Sequence, residues 1–192
     1  LGGSGYPLSV GPIGNSSEEY DGSSWTTGNS INTARYGAAA GGAQTSALLY
    51  GGTGSPAHLT ATESYNGTSY TTSPASLATG RNNLGGDGGD NAYLAVGGNT
   101  PAKTANTEEY TNSINVITAA AWATGGSLNT GRYFLGGTGT QTAGLAFGGF
   151  DSAPSGKTEE YNGSTWSEQN DLGTSRYTIG GAGIQTAALA FG

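Results

Sequence analysis

The chain writes one motif four times, and the spacing of the copies restricts its fold more than any single residue does. In each copy Glu precedes a Tyr, a turn follows, and then come an Arg, a glycine-rich stretch and a short apolar run closed by glycine. The tyrosines Tyr20, Tyr65, Tyr110 and Tyr161 are separated by 45, 45 and 51 residues. Arg35, Arg81, Arg132 and Arg176 are each followed 16 positions later by a glycine, namely Gly51, Gly97, Gly148 and Gly192. A span held constant in four copies predicts an element that tolerates no insertion, whereas the unequal spans predict loops. Self-similarity at this period marks an array in which each copy is one supersecondary unit.

Composition sets what such a unit can pack. Leu, Ile, Val and Phe together make up 26 of the 192 residues, below the roughly 20 % of an ordinary packed domain. Disorder would go with high net charge and few aromatics, but the net charge is only −7 and the 11 Tyr, 3 Trp and 4 Phe fall largely at repeating positions. A thin core of aromatics, Ala and closely approaching backbone is therefore expected, and 37 glycines argue against helix throughout. The chain has no Cys, which removes disulfides, thiolate metal ligands and a Cys nucleophile. It has no Met either, so it reads as a processed product or a piece of a longer chain. No apolar stretch reaches the ~18 residues of a membrane span, and no signal peptide is visible. Thirteen acidic residues against six basic ones make a phosphate-binding surface, and hence a nucleic-acid partner, a poor expectation.

Each copy divides into four strand-like pieces. In the fourth, a segment from Arg176 runs into Gly180–Gly183, and an apolar strand follows and ends at Gly192. The equivalent apolar strands are Ser46–Tyr50, Ala92–Val96 and Ala143–Phe147. Thr158–Tyr161, the pair Asn162-Gly163 and a strand through Trp166 complete the set. Asp-Gly or Asn-Gly between β-prone runs is a strong hairpin signal, because type I′ turns need positive φ at both central residues; it occurs at Asp21-Gly22, Asn66-Gly67 and Asn162-Gly163. The third copy instead has seven more residues between Tyr110 and Trp122 than the fourth has between Tyr161 and Trp166, a lengthened hairpin.

Four antiparallel strands in about 47 residues is the size of a propeller blade. The order Arg, apolar run, Gly-Gly, Tyr, Trp resembles the kelch repeat across essentially all 192 residues, while the Asp that usually follows the kelch Tyr is present only as Asp21. The fold expected is all-β, a single repeat domain over 1–192: a kelch-like β-propeller of four four-stranded antiparallel blades. Phe191-Gly192 falls at the same repeat phase as Leu1-Gly2. The N-terminal strands are thus expected to share one blade with the C-terminal strands and close the ring, removing free sheet edges. The rival arrangement is an open array, completed by the next copy of the chain or by more of a longer one.

The residues of one repeat slot are expected to be structural. These are Arg35, Arg81, Arg132 and Arg176, with Glu19, Glu109 and Glu160, Tyr20, Tyr65, Tyr110 and Tyr161, and Trp25, Trp122 and Trp166. Seven of the eight glutamates, Glu18, Glu19, Glu63, Glu108, Glu109, Glu159 and Glu160, sit in the slot before Tyr. Glycoside hydrolysis needs two carboxyls flanking one bond, but charges recurring once per blade are spread around a ring. Arg–Glu ion pairs that fix strand register are the expectation. His58, the only histidine, lies outside the pattern and cannot make a zinc site of usual type. Kelch-like propellers that are copper oxidases carry a Cys-linked Tyr and histidine ligands, which this chain lacks. Asp87 and Asp90, in an acidic turn Asp87-Gly88-Gly89-Asp90-Asn91, are a weak calcium candidate, set against a plain solvated turn. No catalytic residue and no cofactor is expected.

The wording Thr-Glu-Glu-Tyr-Asn-Gly-Ser-Thr-Trp, Thr-Ser-Arg-Tyr, Gln-Thr-Ala-Ala-Leu-Ala-Phe-Gly is similar to kelch-like repeats of bacteriophage virion proteins, including tail-fibre and particle-surface components. That resemblance implies a non-enzymatic structural or adhesive protein, extracellular or on a virion surface. Its partners would be other copies of itself, other virion or filament proteins, and host surface glycans. The alternative is a repeat subunit of an extracellular bacterial or environmental filament, and a carbohydrate-active enzyme is the third reading.

Overall fold

The computed structural model describes residues 13–89, 91–112 and 121–192. Among them the chain is all-β, with sixteen short strands and no helix, and therefore no helix long and apolar enough to cross a membrane. Three copies form complete four-stranded antiparallel sheets in simple meander order. The first is β3 (Ala39–Ala43), β4 (Ser46–Tyr50), β5 (Thr62–Tyr65) and β6 (Tyr70–Thr72). The second is β7 (Gly85–Gly89), β8 (Ala92–Val96), β9 (Thr107–Thr111) and β10 (Ala121–Thr124), and the third is β11 (Gly136–Thr140), β12 (Ala143–Phe147), β13 (Thr158–Tyr161) and β14 (Trp166–Glu168). Blade-like sheets of the expected composition are thus present. The lengthened third-copy hairpin does pair, Thr111 opposite Ala121, with residues 113–120 outside the described set.

The shared blade is not assembled within these residues. Strands β1 (Glu18–Tyr20) and β2 (Trp25–Thr27) make one two-stranded sheet, and β15 (Gly180–Ile184) and β16 (Ala187–Phe191) make another. The structure therefore contains three whole blades flanked by two complementary halves.

Local chemistry explains the strands. The inner strands β3, β7, β11 and β15 lie side by side in sequence order, and their glycines permit it: a Cβ on Gly41 would sit 2.8 Å from Gly88 N, and one on Gly137 3.1 Å from Gly86 N. At the start of each inner strand one residue takes a left-handed conformation: Gly37, Asn83, Phe134 and Thr178, with φ of 62°, 52°, 56° and 58°. These residues are chained by backbone hydrogen bonds, Asn83 N–H to Gly37 O (2.7 Å), Phe134 N–H to Asn83 O (3.0 Å) and Thr178 N–H to Phe134 O (2.8 Å). The fourth bond of such a circuit, Gly37 N–H to Thr178 O, is not made.

The Asp-Gly and Asn-Gly hairpins differ from the expected two-residue type. Tyr161 pairs with Trp166, so four residues lie in the loop, and Gly22, Gly67 and Gly163 have positive φ while Asp21, Asn66 and Asn162 do not. The reason is that the Asx side chain turns inward as an acceptor: Asn162 Oδ1 takes the N–H groups of Ser164 (3.0 Å) and Thr165 (2.9 Å), and Asn66 Oδ1 and Asp21 Oδ1 repeat the pattern.

The core lies between consecutive blades. Leu48 and Tyr50 of the first sheet meet Leu84, Tyr93 and Tyr110 of the second; Leu94 and Val96 of the second meet Leu135, Ala146, Tyr161 and Trp166 of the third.

Candidate functional site

Three arginines are withdrawn from solvent inside the blades. Arg35 pairs with Glu63, Arg81 with Glu108 at 2.9 Å and Arg132 with Glu159 at 2.8 Å. In the first and fourth copies one hydrogen bond closes the span of 16: Arg35 Nη1 donates to the carbonyl of Gly51 at 2.9 Å, tying the two ends of the β3–β4 hairpin, and Arg176 Nη1 reaches Gly192 O at 3.4 Å. In the second and third, Arg81 Nη2 and Arg132 Nη2 donate instead to Ala95 O at 3.5 Å and Ala146 O at 3.4 Å. Burial pushes the Arg35, Arg81 and Arg132 pKa values down, and the adjoining glutamates oppose that shift.

The buried partner is Glu63, Glu108 or Glu159, two residues before the Tyr. Glu109, expected among the repeat positions, instead faces the next blade, where its carboxylate accepts the Tyr161 hydroxyl. Glu19 likewise accepts from Tyr65. Burial first, and the Glu109 hydrogen bond second, raise the Tyr161 hydroxyl to about 12. Glu160, the corresponding residue of the third blade, has no such tyrosine among the described residues. The signal that separates the two glutamates was in the sequence: strand residues two apart share a face, so the Glu two before a buried Tyr is buried with it. The buried carboxylates also hold the loop entering the blade: Glu63 accepts from the N–H groups of Asn32 (2.7 Å) and Thr33 (3.0 Å), Glu108 from Ala78 (2.7 Å), and Glu159 from Asn129 (2.8 Å).

The tryptophans reach back one repeat. Trp166 Nε1 lies 3.0 Å from Thr107 Oγ1, and Trp122 Nε1 lies 3.2 Å from Thr62 Oγ1. Tyr65, Tyr110 and Tyr161 are buried.

The two half-blades contain the same residues with the partners missing. Among the described residues the Arg176 guanidinium donates only to Thr174 O and Gly192 O, and Glu18, the counterpart of Glu63, Glu108 and Glu159, is exposed. Trp25 is 67 % exposed against 6 % for Trp166, and Phe191 is 53 % exposed against 2 % for Phe147. Of the six large hydrophobic residues exposed among the described residues, five lie on these halves: Tyr20, Trp25, Ile184, Leu189 and Phe191. The sixth, Tyr177, belongs to an aromatic group, tilted against Phe134 at 6.2 Å between ring centroids and edge-on to Phe150 at 5.6 Å, with Tyr133 4.9 Å from Phe134 and 5.5 Å from Phe150. Next to it lies an open depression of about 320 Å³ lined by Gly37, Asn83, Phe134 and Thr178 among others, so all four repeats border it.

The calcium candidate divides. Asp87 belongs to strand β7 and not to a turn; its Oδ1 accepts from Gly88 N–H (2.8 Å), and its Oδ2 lies 3.3 Å from Gly139 N and 3.1 Å from Thr138 Oγ1. Asp90 lies outside the described residues. No cluster of three or more His, Cys, Asp or Glu suited to a metal occurs among the described residues. His58 Nδ1 is 2.9 Å from Thr53 Oγ1. No protein-family model matches this sequence, and a comparison with curated proteins finds no match.

Proposed function

We propose that this chain is a kelch-like β-propeller module with a non-enzymatic structural and adhesive role, as a virion-surface or fibre component that touches host glycans. One observation carries the structural part: charge is spent inside the blades, whereas apolar surface is concentrated on the two half-blades. A carboxylate already holding an Arg and a backbone N–H, as Glu63 and Glu159 do with no solvent exposure, is poorly placed to protonate a leaving group or activate water. Exposed aromatics on sheet edges are instead what an assembling protein presents. The fourth blade of the propeller is the one these halves would make together.

For adhesion the supporting feature is the group Tyr133, Phe134, Phe150 and Tyr177 beside the axial depression. Amphipathic rings with an accessible face stack on the apolar side of sugars. Binding of the chain to a glycan array, lost in Tyr177→Ala with the circular dichroism spectrum unchanged, is the expected result. Absence of glycan binding defeats the adhesive part, and hydrolysis of any polysaccharide defeats the non-enzymatic reading.

A further inference from the structure

Each end of the array lacks what the other end carries. The interior blades define a full set of links, and the same set can be written across the two halves. In the third blade Gly144 opposes Tyr161, Leu145 opposes Glu160, Ala146 opposes Glu159 and Phe147 opposes Thr158. By repeat position, β16 would meet β1 with Ala188 opposite Tyr20, Leu189 opposite Glu19, Ala190 opposite Glu18 and Phe191 opposite Ser17. That register sets Arg176 against Glu18, as Arg132 is set against Glu159, with the carboxylate also in reach of Gly173 N–H as Glu159 reaches Asn129 N–H. It places the Tyr20 hydroxyl at Glu160, as Tyr161 is placed at Glu109, and Trp25 Nε1 at Thr158, as Trp166 Nε1 is at Thr107. Finally it joins Gly37 N–H to Thr178 O, the open bond of the inner circuit.

We infer that the occupant of each unfinished edge is a second copy of this chain, joined head to tail so that β15–β16 of one molecule and β1–β2 of the next make one four-stranded blade with an Arg176–Glu18 ion pair at its centre. This deepens the structural half of the proposed function and is independent of the glycan half.

Two observations favour a second molecule over the chain's own other end. Both halves already sit in the interior geometry: β1 is fixed by Glu19 to Tyr65 and by Asn29 Nδ2 to Thr68 O (2.5 Å), and the segment leading to β15 by Thr178 N–H to Phe134 O (2.8 Å). Gln185 Nε2 adds a bond to Tyr161 O at 2.8 Å. With every one of these links in place the two halves remain separate sheets and the circuit stays open between Gly37 and Thr178. The contact is heterologous, using two different surfaces, so it propagates or closes on a second copy according to the rotation between molecules. It is also self-matched in charge, with one buried cation and one buried anion.

The absence of Cys makes the test clean. Glu19→Cys and Leu189→Cys chains, which keep Arg176 and Glu18, mixed at micromolar concentration under mild oxidation, are expected to form a covalent heterodimer. Leu189→Cys mixed with Thr26→Cys, whose position is on the neighbouring strand, is expected to form none. The Glu19→Cys/Leu189→Cys double variant is expected to give covalent oligomers whose yield rises with concentration. A monomer carrying an internal disulfide at every concentration would overturn the inference in favour of a ring closed on itself, and so would failure of the paired cysteines to cross-link. A second measurement keeps both cysteines out. Sedimentation of the unaltered chain is expected to show concentration-dependent association, weakened by roughly 30-fold or more in Arg176→Ala, as truncation of one member of a buried interfacial charge pair does. A concentration-independent monomer overturns the inference while leaving glycan binding by the Tyr177 face to be read separately.

Discussion

Arg132 and Glu159 form an ion pair at 2.8 Å with neither side chain open to solvent, and the same carboxylate holds the N–H of Asn129 at 2.8 Å. One Glu on the third strand of a blade thereby fixes both the residue that leads into the inner strand and the loop that arrives from the preceding blade. The arrangement repeats with Glu63 and Glu108, so register within a blade and spacing between blades depend on the same side chain.

Breaking that pair from one side is expected to cost far more than removing it whole. Glu159→Gln leaves a guanidinium buried without counter-charge, a loss of about 3–5 kcal/mol, read as a drop in urea midpoint at unchanged slope. The double variant Arg132→Met/Glu159→Leu replaces both charges with apolar volume and is expected to fall closer to the unaltered protein than Glu159→Gln does. A single-variant cost under ~1 kcal/mol, the range of an exposed pair, would show that the charges are solvated in solution.

The link from Trp166 to Thr107 joins neighbouring blades and can be weighed separately. Trp166→Phe keeps most of the ring packing against Tyr161, at 4.9 Å between centroids, but removes the Nε1 donor and strands the buried Thr107 hydroxyl. A loss of about 1–3 kcal/mol is expected, the cost of a buried polar group left without its partner. Thr107→Val restores apolar contact, so the double variant is expected to regain part of the loss. Independent, additive effects of the two substitutions would refute the contact.

How far the sequence disclosed this structure depends on whether a feature repeats chemically. The Arg-to-Gly span of 16 was legible because the hairpin it encloses is the same in every copy, two five-residue strands paired end to end, closed in the first copy by Arg35 Nη1 donating to Gly51 O. The tyrosine and tryptophan slots were legible because Tyr110, Trp122, Tyr161 and Trp166 pack large rings into the core between blades. The left-handed residues at the inner-strand starts were not, since Gly37, Asn83, Phe134 and Thr178 share a backbone conformation and no side-chain type. Only the first two belong to types that adopt it readily. Glu63, Glu108 and Glu159 were distinguishable from the residues beside them by strand alternation, since each lies two positions before a buried Tyr. The separation of the two half-blades was invisible to sequence phase, which records that the halves match and not which molecule supplies them.

Glycine in the inner strands is a packing requirement at some positions and a dispensable one at others. Gly41→Ala drives a methyl to 2.8 Å from Gly88 N and 2.9 Å from Asp87 C, backbone atoms that cannot turn aside. The expected loss is about 1–3 kcal/mol from overpacking. Gly89→Ala meets nothing within 4 Å and has no positive φ, so it is expected to be neutral or to stabilise by about 0.4–1 kcal/mol through the unfolded chain. Thermal unfolding of the two variants side by side decides the point; equal shifts would mean the inner strands are not in close approach.

The Asp21 turn gives a pH signature with a definite sign. Its carboxylate accepts the N–H groups of Ser24 and Ser23, and these bonds hold its pKa down at about 2. An unfolded Asp titrates near 3.9. A depressed folded pKa contributes stability that is fully present above roughly pH 4 and is lost as pH falls toward 2. Because the group is fully exposed, the effect is expected to be small and best read directly, as an NMR titration midpoint of the Asp21 carboxyl near 2. Asp21→Asn places in this loop the residue that Asn66 and Asn162 already provide in theirs, with the same Oδ1 acceptor. It is therefore expected to keep the hairpin at neutral pH while removing this group's share of the acid dependence between pH 4 and 2. A midpoint at the ordinary carboxylate value, or an Asp21→Asn hairpin that loses its cross-strand NMR contacts between Tyr20 and Trp25, would show that the side chain does not cap the turn.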